Sequence, residues 1–289
     1  RNLGVLELVP IFSWLFQWGK CKWCKKTIDT IYPLLELTMW SLFFAVGYFL
    51  IAPELIFSLN IFELIRLDFL LWIIFFTVIY VFYDILYLEI PEIILILANF
   101  LALSMLIIQW YGYSFIPYLP TWNLDFMTLA ACLIVLWSMY YVLLAGLKEL
   151  HDCLILIWVI ILLVGYMNTS GLNYNSSALL SGTIAALGIF ISFFIQIVIS
   201  WGRWMGAGDL RIAILMGLLV GASFAFPAWM ITYLAGSIIW IGVILISKIR
   251  HGFKADFQHQ IPFGPFLACG YLTILFFHPH ISKLIESYF

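Results

Sequence analysis

Long apolar stretches and short polar segments alternate along the chain of 289 residues. A helix that crosses the hydrocarbon core of a bilayer needs about 20 mostly apolar residues. The pattern therefore predicts an all-α polytopic membrane protein of about nine transmembrane helices, which follow a small segment of mixed polarity, residues 1–32. The predicted spans lie near residues 33–53, 67–83, 92–112, 124–147, 152–167, 178–200, 210–226, 228–247 and 262–278.

The overall composition agrees with this pattern. Hydrophobic residues make up 65% of the chain and charged residues 10%, and the mean hydropathy is +1.10. A soluble domain is roughly half apolar and a quarter charged. The net charge of −2 indicates neither a strongly acidic nor a strongly basic partner. We therefore expect the lipid bilayer as a partner and no nucleic acid.

The basic residues predict which loops face the cytoplasm, because cytoplasmic loops carry an excess of Lys and Arg. If residues 1–32 lie in the cytoplasm and the spans alternate, only Arg66 and Lys283 fall on the outside. The other basic residues all fall on the cytoplasmic side: Arg1, Lys20, Lys22, Lys25, Lys26, Lys148, Arg203, Arg211, Lys248, Arg250 and Lys254.

An aspartate behind two glycines interrupts the apolar sequence between the spans near 178–200 and 210–226. The stretch reads Gly206-Ala207-Gly208-Asp209-Leu210-Arg211. A carboxylate near the bilayer core is costly, so such a residue is a candidate for function. Glycines allow backbone to approach it closely, because they carry no side chain.

A second carboxylate, Asp84, comes at the cytoplasmic end of another apolar span. Pro91 cannot continue that helix and suits the first turn of the next one. Glu89 and Glu92 have an ordinary explanation near that helix start, where negative charge is favoured. Asp84 has no such explanation.

The charge pattern places Asp84 and Asp209 on the same side of the membrane. Two carboxylates in one low-dielectric site do not both ionise easily, so one holds a proton and acts as acid while the other acts as base. Such a pair can activate water against a peptide carbonyl. Three alternatives stay open: two unrelated boundary carboxylates, an inactive membrane scaffold, or the ion or proton site of a transporter, which should lie near the bilayer midplane.

Two cysteines in the first segment, Cys21 and Cys24, form a CxxC motif flanked by lysines. In a reducing compartment this spacing is typical of half of a four-ligand zinc site, and nearby positive charge favours the thiolates. Redox chemistry or no role at all are the alternatives. Cys132, Cys153 and Cys269 lie in or beside spans and are expected to be ordinary apolar residues.

Four motifs in order along the chain, one of them made of three short stretches, resemble those of the type IV prepilin peptidases. Gly206-Ala207-Gly208-Asp209 resembles the GxGD motif of that family. Asp84 followed by Ile90-Pro91 resembles its other aspartate motif, and Ile261-Pro262-Phe263-Gly264-Pro265-Phe266-Leu267-Ala268 resembles its C-terminal signature. The stretches Val9-Pro10-Ile11-Phe12-Ser13, Gly19-Lys20-Cys21-Lys22-Trp23-Cys24 and Tyr32-Pro33-Leu34-Leu35-Glu36 resemble the cysteine-bearing domain of the bifunctional bacterial members.

The resemblance implies an aspartic endopeptidase with Asp84 and Asp209 as catalytic residues, supported by Gly206, Gly208, Arg211 and Pro91. It implies a multi-pass protein of the bacterial cell membrane that removes the basic leader of type IV prepilins or pseudopilins, after a Gly, at the cytoplasmic face. Bacterial relatives also N-methylate the new N-terminus with S-adenosylmethionine. In this reading, structural zinc binds to Cys21 and Cys24.

The chain departs from the family pattern in three ways. An earlier CxxC and a first transmembrane helix are expected upstream of Arg1, as if the chain were truncated. Arg211 stands where the family usually has Lys, which keeps the charge. The interval between the two Asp motifs is longer than usual, and we assign the excess to an inserted helical hairpin near 124–167. Within a peptidase domain of residues 33–289, we expect this hairpin to be peripheral.

Overall fold

The computed structural model of the chain describes Gly4 and residues 9–51, 60–109, 114–120, 126–144, 149–203, 205–251 and 262–288. For residues 149, 150, 246–251 and 288 it describes the backbone only. Four residues that carried sequence predictions therefore lie outside the described residues: Arg1, Lys148, Lys254 and Ile261.

Across these described ranges the chain is helical and contains no strand beyond one isolated bridge between Lys20 and Thr27. This confirms the all-α prediction. The helices are α1 Phe12–Phe16, α2 Ile31–Ala45 with its π-helical extension Val46–Leu50, α3 Ile61–Tyr87, α4 Glu92–Gln109, α5 Phe126–Leu144, α6 Glu149–Ser170, α7 Ala178–Ser200, α8 Ala207–Val220, α9 Ala222–His251 and α10 Gly264–Tyr288.

Seven helices in the described ranges are long and apolar enough to cross a membrane, so the count of nine is not confirmed. Helix α8 has only 14 residues, about 21 Å at 1.5 Å per residue, against roughly 30 Å of hydrocarbon. Helix α10 is interrupted at Phe277, whose backbone is not helical, and contains Pro279. The seven candidate spans are Ile31–Leu50, Ile61–Tyr87, Glu92–Gln109, Phe126–Leu144, His151–Ser170, Ala178–Ser200 and Ala222–Leu245.

The chain divides into two compact units, residues 1–82 and 83–289. In the first unit, two hydrogen bonds hold the segment before α2 together. The amide of Ile11 donates to Glu36 Oε2 at 2.6 Å, and the indole of Trp14 donates to the carbonyl of Ile28 at 3.2 Å. The cysteine-bearing segment is thereby fixed to the beginning of α2. The predicted domain boundary at residue 32 remains a prediction.

Helix α8 is the centre of the second unit. It packs against α4, α7 and α10, and most of its side chains are buried. Close approach depends on glycine, because a Cβ at Gly217 would lie 2.2 Å from Cα of Ala186 on α7. Gly270 on α10 is similarly enclosed, with Thr232 Oγ1 of α9 at 2.2 Å from the position of a Cβ. Small residues at such contacts let helix backbones approach within a membrane.

The two helices of the hairpin differ in burial, and this departs from the expectation that both are peripheral. Helix α5 buries one face and packs on α7. Helix α6 packs mainly on α5, and a hydrogen bond of 2.9 Å joins Thr128 and Tyr166 between them. The mostly polar residues 148–152 between the two hairpin spans predict a solvated turn, but Asp152 near the start of α6 is fully buried. Apart from Asp152, α6 contacts mainly α5 and is placed like a peripheral element, whereas α5 is part of the bundle.

We predict that Gly217→Ala destabilises the protein by about 1–3 kcal/mol, the usual cost of overpacking a core. The new methyl group would meet backbone atoms of α7, which cannot rotate away. The measurement is thermal unfolding of the purified protein in lipid or detergent.

The matched control for this substitution is Gly188→Ala on α7, where a Cβ would meet nothing within 4 Å. This variant should be neutral or gain up to about 1 kcal/mol from helix propensity. Equal stability of both variants would contradict the packing of α7 on α8.

Candidate active site

Asp84 lies in the last turn of α3 with 5% of its surface exposed. The helix ends just beyond it, because Leu88 adopts a left-handed conformation with φ of 55°. The amide of Gly264, at the start of α10, donates a hydrogen bond of 2.8 Å to Asp84 Oδ2. Residues separated by 180 positions in sequence thus meet at one carboxylate.

The contact between Asp84 and Gly264 leaves no room for a side chain at position 264. A Cβ there would lie 2.7 Å from Asp84 Oδ2. The two prolines around this glycine predict an irregular helix entrance, but they do not identify Gly264 as the partner of Asp84. The available signal was a single glycine between Pro262 and Pro265.

Asp209 is the third residue of α8 and is 6% exposed. Its Oδ2 accepts a hydrogen bond of 3.1 Å from the amide of Gly206, the residue that caps the helix. This is half of a capping box, and it satisfies a helix-end donor that has no partner within the helix. Asp209 therefore has a structural role at the start of α8 in addition to any chemical one.

The two glycines of the motif have different surroundings. A Cβ at Gly208 would lie 2.9 Å from Cδ1 and 3.1 Å from Cβ of Ile90. A Cβ at Gly206 would meet only the amide nitrogen of Gly208, at 3.9 Å. Backbone approaches the carboxylate, as the sequence predicts, at Gly206, whose amide lies 3.1 Å from Asp209 Oδ2. At Gly208 the missing side chain instead leaves room for Ile90, the residue just before Pro91.

The charges of the two aspartates interact across this site. Asp209 lies in α8, which is not among the seven candidate spans. Burial raises the pKa of Asp209 to about 7, the amide of Gly206 opposes this shift, and the negative charge of Asp84 adds to it. The structure thus brings the two predicted site residues close enough for one charge to affect the other. Asp209 holds its proton well above the pH at which an exposed aspartate ionises.

Arg211 and Pro91 belong to a contact between α4 and α8. Helix α4 begins directly after Pro91 with Glu92, whose Oε1 lies 2.5 Å from Nη2 of Arg211. The side-chain amide of Asn99 on α4 donates a hydrogen bond of 3.1 Å to the carbonyl of Arg211. The buried hydroxyl of Tyr140 on α5 lies near Asn99 and both charged partners. Arg211 therefore anchors the first turns of α8, and helix α5 of the hairpin reaches this anchor.

The two cysteines of the motif lie in the first unit, on one tight loop. The amide of Cys21 donates to the carbonyl of Lys26 at 2.8 Å, and the amide of Lys25 donates to the carbonyl of Cys21 at 2.9 Å. Cys21 is half-buried and Cys24 is exposed. Two thiols on a closed loop suit half of a zinc site in their donor chemistry. Within the described ranges, no group of three or more His, Cys, Asp or Glu residues gathers to complete one.

Comparisons with known proteins bear on this arrangement. The family described as Bacterial Peptidase A24 N-terminal domain matches residues 1–50. A protein of Bacillus subtilis (strain 168), named prepilin leader peptidase/N-methyltransferase, is 51% identical over 47 residues, which are 16% of this chain and 19% of that protein. A protein of the same name from Aeromonas salmonicida (strain A449) is 28% identical over 280 residues, 94% of this chain and 67% of that protein. No solved structure matches the chain.

The fold and the site together define a multi-pass helical membrane protein with two buried, interacting carboxylates. The comparisons support assignment of this chain to the type IV prepilin peptidase family. The family was first indicated by the motifs around Asp84, Asp209 and the two cysteines.

We predict that Gly208→Ala destabilises the protein while Gly206→Ala changes its stability little, since only the first methyl group would collide with a neighbour. The expected difference in unfolding free energy is about 1–3 kcal/mol. Thermal unfolding of both variants measures it.

A second substitution tests the cause of this difference. Shortening Ile90 to Val or Ala in the Gly208→Ala background removes the atoms in the way and should restore part of the lost stability, a non-additive effect of contacting residues. Additive losses in the double variant would show that Ile90 is not the neighbour that requires a glycine.

Proposed function

We propose that the chain is a membrane aspartic endopeptidase in which Asp84 and Asp209 form the catalytic pair. The observation that carries this proposal is the geometry of the two carboxylates. Each is buried, each accepts a hydrogen bond from a glycine amide, and each lies at a helix end.

The pair supplies acid and base from two identical groups. Asp209, with a pKa raised to about 7, carries the proton, and Asp84 accepts one from an attacking water. The hydroxyl oxygen then bonds to the peptide carbon while the proton of Asp209 passes to the carbonyl oxygen. In the collapse, the proton held by Asp84 passes to the leaving nitrogen, a hydroxyl proton of the intermediate returns to Asp209, and the C–N bond breaks to release an amine and a carboxylic acid. The amides of Gly264 and Gly206 keep each carboxylate oriented throughout.

The substrate class follows from the relatives, whose name states that they act on prepilin leaders. We propose a type IV prepilin or pseudopilin of a pilus or secretion system, with a basic leader before an apolar helix. Cleavage at the cytoplasmic face of the bacterial cell membrane agrees with the distribution of Lys and Arg, which places Asp84 and Asp209 on that side.

Methyl transfer from S-adenosylmethionine is a further proposal that rests on the relatives' name alone. A cavity of about 760 Å³ beside the cysteine loop has the size of a small-ligand site. Its lining includes Lys20, Lys22 and Lys25, whose positive charge opposes binding of a sulfonium cation. We therefore assign no residue of this chain to the methyl donor.

For the catalytic pair we predict that Asp84→Asn and Asp209→Asn each lower cleavage of a prepilin-like peptide by about 10²-fold or more, the scale of general acid–base effects. Asn keeps an oxygen that accepts the glycine amide but exchanges no proton, so thermal stability should change little. The losses should not add in the double variant, because the pair acts as a unit. In the wild type, cleavage should decline as pH rises through about 7, where Asp209 loses its proton.

The matched control is Asp152→Asn, which alters a buried carboxylate of α6 outside the pair and should leave cleavage nearly unchanged. Cleavage at near wild-type rates by either active-site variant would contradict the proposal. If the wild type cleaved nothing but moved protons or ions across a vesicle membrane, and either substitution stopped this flux, the transporter reading would take its place.

We further propose that Cys21 and Cys24 are two ligands of a structural zinc ion whose other ligands lie outside the described residues. Purified full-length protein should then contain about one zinc ion per chain, and Cys21→Ser or Cys24→Ser should lower that content. In both variants we expect a large increase in proteolysis of the first segment and only a small loss of peptide cleavage. The reason is that metal binding stabilises small segments of this kind.

Cys269→Ser, at an exposed cysteine of α10, serves as the control for metal analysis and should retain the wild-type content. Full-length protein without zinc, or with unchanged zinc after both substitutions in the motif, would argue decisively against this site.

A further inference from the structure

A groove of about 230 Å³ runs along one face of α9 beside the start of α10. Residues 233, 236, 237 and 240 of α9 share this face, because residues three, four and seven apart lie on the same side of a helix. None of the lining side chains carries a formal charge. The lining consists of Tyr233, Gly236, Ser237, Trp240, Phe263 and Phe266.

The groove adjoins both carboxylates of the candidate active site. Phe263 directly precedes Gly264, whose amide binds Asp84. Tyr233 interacts electrostatically with Asp209. The rings of Tyr233 and Phe263 lie 5.9 Å apart between centroids, so they join the two sides of the groove next to the pair.

Tyr233 is held firmly in this position. The side-chain amide of Gln196 on α7 donates to its hydroxyl at 2.6 Å, and the hydroxyl donates to Gln196 Oε1 at 2.8 Å. This part of the groove is therefore fixed before any ligand binds, and pre-organisation of this kind reduces the entropy that binding costs.

We propose that this groove binds an apolar substrate side chain next to the peptide bond that is cut. The inference rests on the proposed peptidase function and adds the residues that recognise the substrate. The uncharged aromatic lining suits an apolar side chain and gives a basic leader no partner. The volume is below the roughly 300–1,000 Å³ of sites that enclose a whole small molecule. The groove therefore has room for one or two side chains of a peptide substrate.

Gly236 provides the means to fill the groove selectively. A Cβ at this position would lie 3.5 Å from the ring of Phe266 and 3.9 Å from that of Phe263, which are ordinary contact distances. A Leu side chain there would extend into the groove without meeting backbone at its first atom. On the same helix, a Cβ at Gly242 would meet nothing within 4 Å. Gly242→Leu therefore makes the same change away from the groove.

The experiment measures cleavage by the full-length protein in lipid nanodiscs. The substrates are two prepilin-like peptides that differ only in the residue after the cut bond, Phe in one and Ala in the other. Wild type should prefer the Phe peptide. In Gly236→Leu, kcat/KM for the Phe peptide should fall about tenfold or more and the preference should disappear, as expected when a specificity pocket is filled. Gly242→Leu should behave like the wild type.

Photocrosslinking provides a readout that does not depend on cleavage. The same peptide, with benzoylphenylalanine after the cleavage site, should label Trp240, Phe263 or Phe266 in the wild type and in Asp209→Asn, and label them far less in Gly236→Leu. If the peptide labelled the groove but the wild type never cut it, the groove would be supported and the proposed peptidase function contradicted.

Two results would overturn the groove and leave the peptidase function standing. One is cleavage with an unchanged Phe preference in a folded Gly236→Leu protein. The other is crosslinking of the peptide only outside the groove while photoreactive lipid labels Trp240 and Phe266, which would identify an acyl chain as the occupant. Thermal unfolding distinguishes folded from unfolded Gly236→Leu, and loss of its fold would show that chain atoms already fill this space, which contradicts an open groove.

Discussion

The hydrogen bond between the amide of Gly264 and the carboxylate of Asp84 is the constraint on which the site depends. At 2.8 Å, with no room for a Cβ, it fixes the end of α3 against the start of α10. A buried carboxylate without such a partner would be strongly destabilising. The same contact places Phe263 beside the pair, so the position of the aromatic groove follows from it. Gly264 is the first residue of α10, so its amide has no partner within the helix and is available to the carboxylate.

The second aspartate depends on the burial of its helix. Helix α8 is too short for a simple span, and its surroundings exclude water on nearly every side. Close packing at Gly217 and Gly208 places Asp209 at a fixed depth against α7 and Ile90. Burial then raises the pKa of the carboxyl to about 7, with the charge of Asp84 as an additional cause. Packing of small residues thus determines the chemical state of the site.

Much of this arrangement could be predicted from the sequence, since apolar length defined the helices and the cost of a membrane carboxylate selected Asp84 and Asp209. Hydrophobicity does not distinguish burial in protein from burial in lipid, so the sequence did not reveal that other helices enclose α8 or that Asp152 is buried. Partners far apart in sequence, such as Gly264 with Asp84 and Gln196 with Tyr233, produce no local pattern. The two motif glycines looked equivalent, and only the position of Ile90 distinguishes them.

The most direct test of the account is the cleavage rate of Gly264→Ala in the full-length protein. The substitution keeps the amide but places a methyl group 2.7 Å from Asp84 Oδ2, too close for the carboxylate to stay in place. Displacement of a catalytic group by about 1 Å costs on the order of 10²-fold in rate, so we expect a loss of this size in a protein that still folds and still binds the crosslinking peptide. Gly242→Ala should cleave normally. Wild-type cleavage by Gly264→Ala would contradict the claim that this contact positions a catalytic aspartate.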